Sequence, residues 1–188
     1  MAWLCRSRHR RQRTQFPGGE NLQTSGVPVW RLQPSASALA RDGEIIRMAV
    51  EPVRAALNHG LVPLVYGDVA LDEQRGGTIL STEKIFFYLA QQLPVGQILL
   101  LGEVEGVYDE NGVVIPEITP ANFPEIERAL GGSAGTDVTG GMESKVQDML
   151  ALTQAVPGLT IRIMSGTQPD LLRQTLTGTA QPGTLIHS

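Results

Sequence analysis

The chain has 188 residues, of which 41% are apolar and 18% charged, and its formal net charge is -4. These values are typical of a globular protein, and the length suits one substantial core. No apolar run is long enough for a bilayer or for a secretory leader, so we expect no membrane association and a cytoplasmic location. Cys5 is the only cysteine, which excludes internal disulfides and metal sites built on thiolates.

The charge is distributed unevenly along the chain. Residues 1–13 contain five arginines and no acid, whereas the remainder has 10 basic and 19 acidic residues, a net of -9. A basic arm of this kind suits nucleic-acid binding or a transit peptide. No aromatic or helical periodicity accompanies the arginines, however, and the acidic body argues against a nucleic-acid partner. We therefore predict an irregular, Arg-rich segment over residues 1–25 that lies outside the fold.

Beyond residue 25, apolar runs of strand length alternate with helical patterns. The predicted strands are 27–32, 61–66, 98–101, 113–118, 160–164 and 184–186, and the predicted helices are 51–58, 82–93, 123–130, 141–156 and 169–177. A polar loop is predicted through Gly43, and a hairpin around 72–80 that turns at Gly76 and Gly77. This order favours one α/β domain over residues 26–188, with a mainly parallel sheet covered by helices on both faces.

Ligands of such folds bind where strands end and loops lead into helices. Gly67 and Asp68 follow the strand 61–66; the glycine permits close backbone approach, and the aspartate can orient a cation or a polar substrate group. The same pair also suits an ordinary turn. Thr82 and Glu83 open the next helix, where hydroxyl and acidic residues act as caps and where the helix dipole also favours an anionic ligand.

Two later junctions suit a nucleotide. Glu103 follows the strand 98–101 in a loop with a second carboxylate and flanking glycines, which can accept ribose hydroxyls or form a solvated turn. Gly140 and Gly141 enter a helix, and Lys145 lies about one turn later, where it can return toward an anion. The spacing is not that of a Walker A loop. A Gly-Gly turn with a downstream lysine is also common without any phosphate.

Taken in order, these junctions resemble isopentenyl phosphate kinase, an amino acid kinase superfamily enzyme. The resemblance rests on four segments and covers roughly residues 22–186. The segments are Gly60-Leu-Val-Pro-Leu-Val-Tyr-Gly-Asp68, Gly77-Thr-Ile-Leu-Ser81, Glu103-Val-Glu-Gly-Val-Tyr108, and Asp137-Val-Thr-Gly-Gly-Met142 with Lys145. It implies a three-layer α/β/α sandwich and transfer of the γ-phosphoryl group of ATP to isopentenyl phosphate, with Mg²⁺ and a possible homodimer.

The resemblance also implies roles for individual residues. Glu103, Gly140, Gly141 and Lys145 would bind ATP, with Lys145 catalytic. The acceptor would contact four residues at the earlier junctions, namely Gly67, Asp68, Thr82 and Glu83. No side chain of the chain is assigned as a metal ligand.

Three departures from the family pattern qualify this mapping. Both carboxylates in Gly102-Glu-Val-Glu-Gly106 are one methylene longer than the family's aspartates. Thr82 stands where the family has a substrate-contacting glycine, with Glu83 replacing an aspartate. The family's Lys-Leu-Gly-Gly-Ser loop and its Gly-rich loop ending in a substrate-binding histidine do not occur. We therefore expect an incomplete, C-terminal ATP-binding part of such an enzyme.

Two other functions remain open at this level. One is a kinase of the same superfamily with another acceptor, such as an amino acid, a nucleotide or a phosphonate. The other is a non-catalytic module that binds nucleotide or a partner chain. ATP binding without turnover would favour the second.

Overall fold

The computed structural model describes residues 22–131 and 142–188. The chain divides into two compact units, the first ending at Leu93 and the second beginning at Pro94. Within the described ranges, no helix has the length and apolar character required to cross a membrane. Each unit is described by itself below.

The first unit contains two small sheets. Strands β1 (Val29–Arg31) and β4 (Val62–Leu64) pair in parallel. The other sheet has four strands in the order β3-β2-β5-β6, with a central parallel pairing of β2 and β5 between two antiparallel hairpins. Its strands are β2 (Leu39–Arg41), β3 (Glu44–Arg47), β5 (Asp68–Asp72) and β6 (Gly76–Leu80).

Helices α1 (Glu51–Asn58) and α2 (Thr82–Gln92) belong to the same unit. Helix α1 tolerates a proline in its first turn, where the missing N–H has no intrahelical acceptor. It ends at Asn58, and Gly60 lies two residues beyond, where its φ of 70° is easily reached without a β-carbon and the Leu61 N–H donates to the Ala56 carbonyl at 2.9 Å. These local signals explain why the predicted bounds 51–58 are those observed.

One cluster of apolar side chains forms the core of the first unit. Its buried members are Ala38, Ala40, Met48, Val50, Val53, Val65, Ala70, Leu80, Ile85 and Leu89. Each buried Val, Leu or Ile stabilises the fold by about 1.5–3 kcal/mol relative to an exposed one. Ile85 and Leu89 thus lie on the packed face predicted for α2, whereas Phe86, predicted on the same face, remains 39% exposed.

The polar loop predicted through Gly43 is wrong. A 3₁₀ turn (Pro34–Ala36) and the hairpin of β2 and β3 occupy this stretch. The hairpin turns at Asp42 and Gly43, which have φ values of 51° and 86°. Asp-Gly is a strong turn signal, but the strands beside it are only three and four residues long, too short to show a clear period in the sequence.

The hairpin predicted around 72–80 is present, but its turn comes earlier than predicted. Strand β5 already begins at Asp68, and the turn lies at 73–75, so Gly76 and Gly77 belong to β6. Asp68 is therefore a strand residue paired with Leu80, and not part of a turn.

The second unit contains one four-stranded sheet in the order β7-β9-β10-β8. Its strands are β7 (Gln97–Gly102), β8 (Glu117–Ile118), β9 (Thr160–Ser165) and β10 (Thr184–Ile186). Strand β9 pairs in parallel with β7 and antiparallel with β10, which in turn pairs in parallel with β8. From its second residue on, β9 is completely buried, as expected of a central strand covered on both faces.

Helices α3 (Phe123–Gly131), α4 (Met142–Ala155) and α5 (Leu171–Leu176) complete the second unit. Helix α4 packs on β9, β10 and α3. The face predicted to pack is the buried one, with residues Val146, Met149, Leu150 and Thr153. The predicted strand 113–118 is reduced to its last two residues, and Val114 forms an isolated bridge to Tyr108.

Candidate active site

In the first unit, the structure brings together two junctions that are distant in sequence. The N–H of Gly67, a buried residue directly before β5, donates to Oγ1 of Thr82 at 3.0 Å. Thr82 is the first residue of α2 and is exposed. The pairing of β5 with β6 makes this contact possible, because Asp68 and Leu80 lie opposite each other at the open end of that hairpin. Two of the predicted acceptor-binding residues are therefore in direct contact.

Asp68 is 2% exposed, and its Oδ2 accepts the backbone N–H of Ser35 at 3.0 Å. The hydroxyl of Ser35 accepts in turn from the side-chain amide of Gln33 at 2.7 Å. A buried carboxylate requires such partners, since an ionised group without them is very costly to desolvate. Ser35 and Gln33 were not predicted as site residues, because the 33-residue separation of Ser35 from Asp68 leaves no pattern in the sequence.

The start of α2 is capped in the predicted manner. Oγ of Ser81 accepts the Lys84 N–H at 3.1 Å, so the capping role of the hydroxyl residues at this junction is confirmed. Glu83 is exposed in the first turn, where a negative charge interacts favourably with the helix dipole. The cap leaves the hydroxyl of Thr82 for the contact with Gly67.

A cavity of about 200 Å³ lies at the carboxyl ends of the parallel strands β1 and β4. Most of its lining residues are apolar, and they include Pro34, Met48, Val53 and Val65. The side-chain amide of Gln33 is among the polar groups of the lining. Open α/β folds bind ligands at this edge of parallel strands. The cavity thus shares Gln33 with the hydrogen-bonded chain that leads to Asp68.

In the second unit, two loops meet beyond the carboxyl ends of the parallel strands β7 and β9. Glu103 and Glu105 are both exposed, and Oε1 of Glu105 accepts from the side-chain amide of Gln168 at 3.1 Å. The two backbones are also joined, because the Gly166 N–H donates to the Gly102 carbonyl at 2.8 Å. Gln168 was not predicted, since it lies 63 residues from its partner.

The loop after β7 is held against β10 by close packing at two glycines. A β-carbon at Gly106 would lie 2.7 Å from Oγ1 of Thr184, and one at Gly183, where φ is 71°, would overlap the carbonyl oxygen of Ile163. The Val107 N–H donates to the same Thr184 hydroxyl at 2.8 Å. These contacts hold the loop that carries the two exposed glutamates, here called the carboxylate loop, against β10.

A cavity of about 450 Å³ borders the next turn of this loop and is lined largely by polar residues of that turn and of α3. Within it, Asp109 accepts the Val113 N–H at 2.8 Å and the Asn111 N–H at 2.9 Å. The Val113 bond is the largest cause of a lowered pKa of Asp109, which partial desolvation opposes. Asp109 therefore stays ionised and holds the turn closed.

Lys145 lies in the first turn of α4 and is exposed. Gly140 and Gly141 lie outside the described residues. In the described part of the chain, no three His, Cys, Asp or Glu side chains are grouped so that they could hold a metal ion.

The fold defined by these elements is that of small-molecule kinases of mixed α/β type. A solved structure described as "X-ray structures of isopentenyl phosphate kinase" matches with a TM-score of 0.81 and 23% identity, over 97% of this chain and 69% of that one. The predicted α/β fold class is thereby confirmed. The model of the amino acid kinase family matches residues 19–165, and the chain belongs to that family.

Among curated relatives, the chain is similar to isopentenyl phosphate kinases from two organisms. It is 40% identical over 132 residues to the Haloferax volcanii protein, covering 70% of this chain and 52% of that one. It is 31% identical over 171 residues to the Methanothermobacter thermautotrophicus protein, covering 88% of this chain and 63% of that one. The chain thus spans between about half and two thirds of the length of these relatives.

Proposed function

We propose that this chain takes part in ATP-dependent phosphorylation of isopentenyl phosphate, giving isopentenyl diphosphate and ADP in isoprenoid precursor synthesis. The observation that carries the proposal is the 40% identity, over 132 residues, to the isopentenyl phosphate kinase of Haloferax volcanii. The geometry of the two junctions in the first unit and of the carboxylate loop in the second supports it.

On the donor side, Gly140, Gly141 and Lys145 are proposed to hold the ATP phosphates, and Glu103 to accept hydrogen bonds from the nucleotide. Phosphoryl transfer depends mainly on positioning and charge neutralisation. The ammonium group of Lys145 is exposed in the first turn of α4, so it is accessible to an anion. Because a cation at the ATP phosphates would neutralise charge on the transferring group, we propose Lys145 as the catalytic residue.

On the acceptor side, Gly67, Asp68, Thr82 and Glu83 are proposed to line the cleft. The contact of Gly67 with Thr82 and the buried position of Asp68 support this grouping. Glu83 is exposed beside Thr82 in the first turn of α2.

Among the described residues, no group of three His, Cys, Asp or Glu side chains could hold a metal ion by itself. Mg²⁺ usually keeps several waters and is bound by substrate phosphates together with one or two carboxylates. We therefore propose that Mg²⁺ enters with ATP and is bound mainly by its phosphates. Bound there, the ion would neutralise phosphate charge. We expect the protein to act in the cytoplasm and to form a homodimer.

The test is ADP release by the purified chain supplied with Mg-ATP and isopentenyl phosphate. We expect release that depends on isopentenyl phosphate and falls about 10²- to 10³-fold in Lys145→Ala, the usual effect of removing one group that stabilises a transition state. Arg173→Ala is the matched control, because it removes an exposed cation from another helix of the same unit.

Two results would contradict the proposal. One is ADP release that requires an amino acid or a nucleotide in place of isopentenyl phosphate. The other is ATP binding without turnover of any acceptor, which would favour a nucleotide-binding module.

A further inference from the structure

The sheet of β1 and β4 has only two strands, and its hydrogen bonds show which backbone groups face outward. The Val62 N–H donates to the Pro28 carbonyl at 2.7 Å. The Leu32 N–H donates to the Leu64 carbonyl at 3.1 Å. Because the groups that bond one neighbouring strand alternate along a parallel strand, Val29 faces away from β4. In the described part of the chain β1 pairs with β4 alone, so the N–H and carbonyl of Val29 form an open edge.

The outer edge of β4 differs from that of β1. By the same alternation, its central residue Pro63 faces away from β1, and a proline has no N–H to donate. Proline on an outer edge is a common means by which proteins prevent a further strand from pairing. An additional strand is therefore expected beside β1 and not beside β4.

Apolar side chains are exposed on both faces of this small sheet. Trp30 is 54% exposed, and it shares its face with Pro63, its partner in the register. Val62 is 43% exposed on the opposite face, beside Val29. Parallel sheets are normally covered on both faces, and two strands alone are at best marginally stable. The exposed side chains thus form a surface suited to a further polypeptide segment.

A groove of about 350 Å³ lies beside Trp30, on the side of the sheet where α1 packs on β4. Nδ1 of His59 lies 2.8 Å from the Ala55 carbonyl, so this ring nitrogen already has a partner within the helix. The other lining residues are apolar, namely Pro52, Ala55, Ala56 and Leu61. The groove can therefore accept apolar side chains of a segment that runs along β1.

The extent of the structural match indicates what covers this surface. The solved kinase structure matches over 97% of this chain and 69% of its own, which leaves 31% of that chain without a counterpart. We propose that the edge of β1 and the groove beside Trp30 bind an extended, apolar segment of a chain that contains this unmatched part of the kinase fold. The segment adds a strand to β1 through main-chain hydrogen bonds and places apolar side chains against Trp30. The proposal concerns assembly and does not rest on the proposed reaction.

The experiment co-expresses the chain with the part of the Methanothermobacter thermautotrophicus kinase that precedes its 171 matched residues. Sedimentation over a dilution series measures the dissociation constant of the purified complex, for which we expect one copy of each chain. Val29→Pro should weaken the complex about tenfold because it removes the outward N–H, whereas Val29→Thr keeps that N–H and should change affinity less than about threefold. Trp30→Asp should also weaken it about tenfold or more. Leu71→Asp, at an exposed apolar strand residue of the same unit, is the matched control and should leave the affinity unchanged.

Amide hydrogen exchange of the ¹⁵N-labelled chain identifies the occupant of the edge. The Val29 amide should exchange rapidly in the chain alone and slowly in the complex, whereas the Trp30 amide, which faces β4, should be protected in both. Slow exchange of Val29 in a monomer would show that this chain covers its own edge, and slow exchange in a dimer that a second copy does. Either result overturns the proposal, as does the absence of a complex or equal weakening by Val29→Pro and Val29→Thr.

Discussion

Asp72 shows how one buried carboxylate can organise two turns. Its Oδ1 accepts the N–H groups of Asp42, Gln74 and Arg75 at 2.9–3.1 Å, and its Oδ2 accepts that of Gly43 at 2.7 Å. Burial raises the pKa of the carboxyl, but the four donors outweigh it and lower the pKa to about 2 from 3.8. The four hydrogen bonds of Asp72 therefore hold the turn of the β2–β3 hairpin against the turn of the β5–β6 hairpin.

Asp72→Asn should destabilise the chain and change its response to acid. Because the folded pKa is depressed, the contribution of Asp72 is complete above pH 3.8 and is lost as the pH falls toward 2. The variant lacks this contribution, so its free energy of unfolding should fall less between pH 5 and pH 3 than that of the native chain. Urea unfolding at several pH values measures both effects.

Asp42→Asn is the control for this prediction. Asp42 is exposed, its ion pair with Arg75 lies at the surface, and asparagine tolerates its φ of 51°. We expect a change in stability of less than about 1 kcal/mol. Equal destabilisation by the two substitutions would show that the four hydrogen bonds to Asp72 do not hold the turns.

At the scale of elements, the strands β8 and β10 are short and need support beyond their own ladder. Nε2 of His187 lies 2.8 Å from Oε1 of Glu117, and the His187 N–H donates to the Ile118 carbonyl at 3.2 Å. The Ser188 hydroxyl donates to the Thr153 carbonyl of α4 at 3.3 Å. The last residues of the chain thus connect β10 to β8 and to helix α4.

The contact of His187 with Glu117 predicts a pH dependence near neutrality. The hydrogen bond to Glu117 is the largest cause of a raised pKa of His187, the Ser188 carbonyl adds to it, and desolvation opposes both. Since the folded pKa exceeds the ordinary 6.5, the stabilisation is complete below pH 6.5 and is lost as the pH rises through the folded value.

Glu117→Gln should remove this dependence and return the pKa of His187 toward 6.5, as measured by an NMR titration of its imidazole protons. Glu110→Gln, an exposed carboxylate of the same unit, should leave the titration unchanged. An unchanged titration in Glu117→Gln would mean that the contact does not form in solution.

At the scale of the whole molecule, the residues proposed for the two substrates belong to different units. Gly67, Asp68 and Thr82 lie in the first, and Glu103 and Lys145 in the second. A substitution in one unit should therefore change the KM for one substrate and leave the KM for the other unchanged. We expect Glu103→Gln to raise KM for ATP about tenfold, the effect of one hydrogen bond to a charged group, and to leave KM for isopentenyl phosphate unchanged.

Glu105→Gln is the control in the same loop. Its amide oxygen can still accept from Gln168, so we expect KM for ATP to change less than about threefold. Steady-state kinetics with each substrate varied in turn tests both variants. A rise in KM for isopentenyl phosphate in Glu103→Gln would contradict the assignment of Glu103 to the nucleotide.

The helices and most of the strands were predictable because their causes are local. A proline in the first turn and a glycine beyond the end bound α1, and a buried face at helical spacing marks α4. The hairpin of β2 and β3 was missed because its strands are only three and four residues long, so only the Asp-Gly turn indicated it. Its formation depends on the pairing of β2 with β5, which lies about 30 residues further along the chain.

The amino-acid sequence by itself determined the α/β class, the helices with their caps, and which junctions carry glycine, hydroxyl and carboxylate groups. Only the tertiary structure decided that Thr82 contacts Gly67, that Ser35 holds Asp68, and that Gln168 holds Glu105. The physical reason is the range of the interactions. Caps and periodic faces act within a few residues, whereas a hydrogen bond between two loops forms only after the strands that carry them have paired.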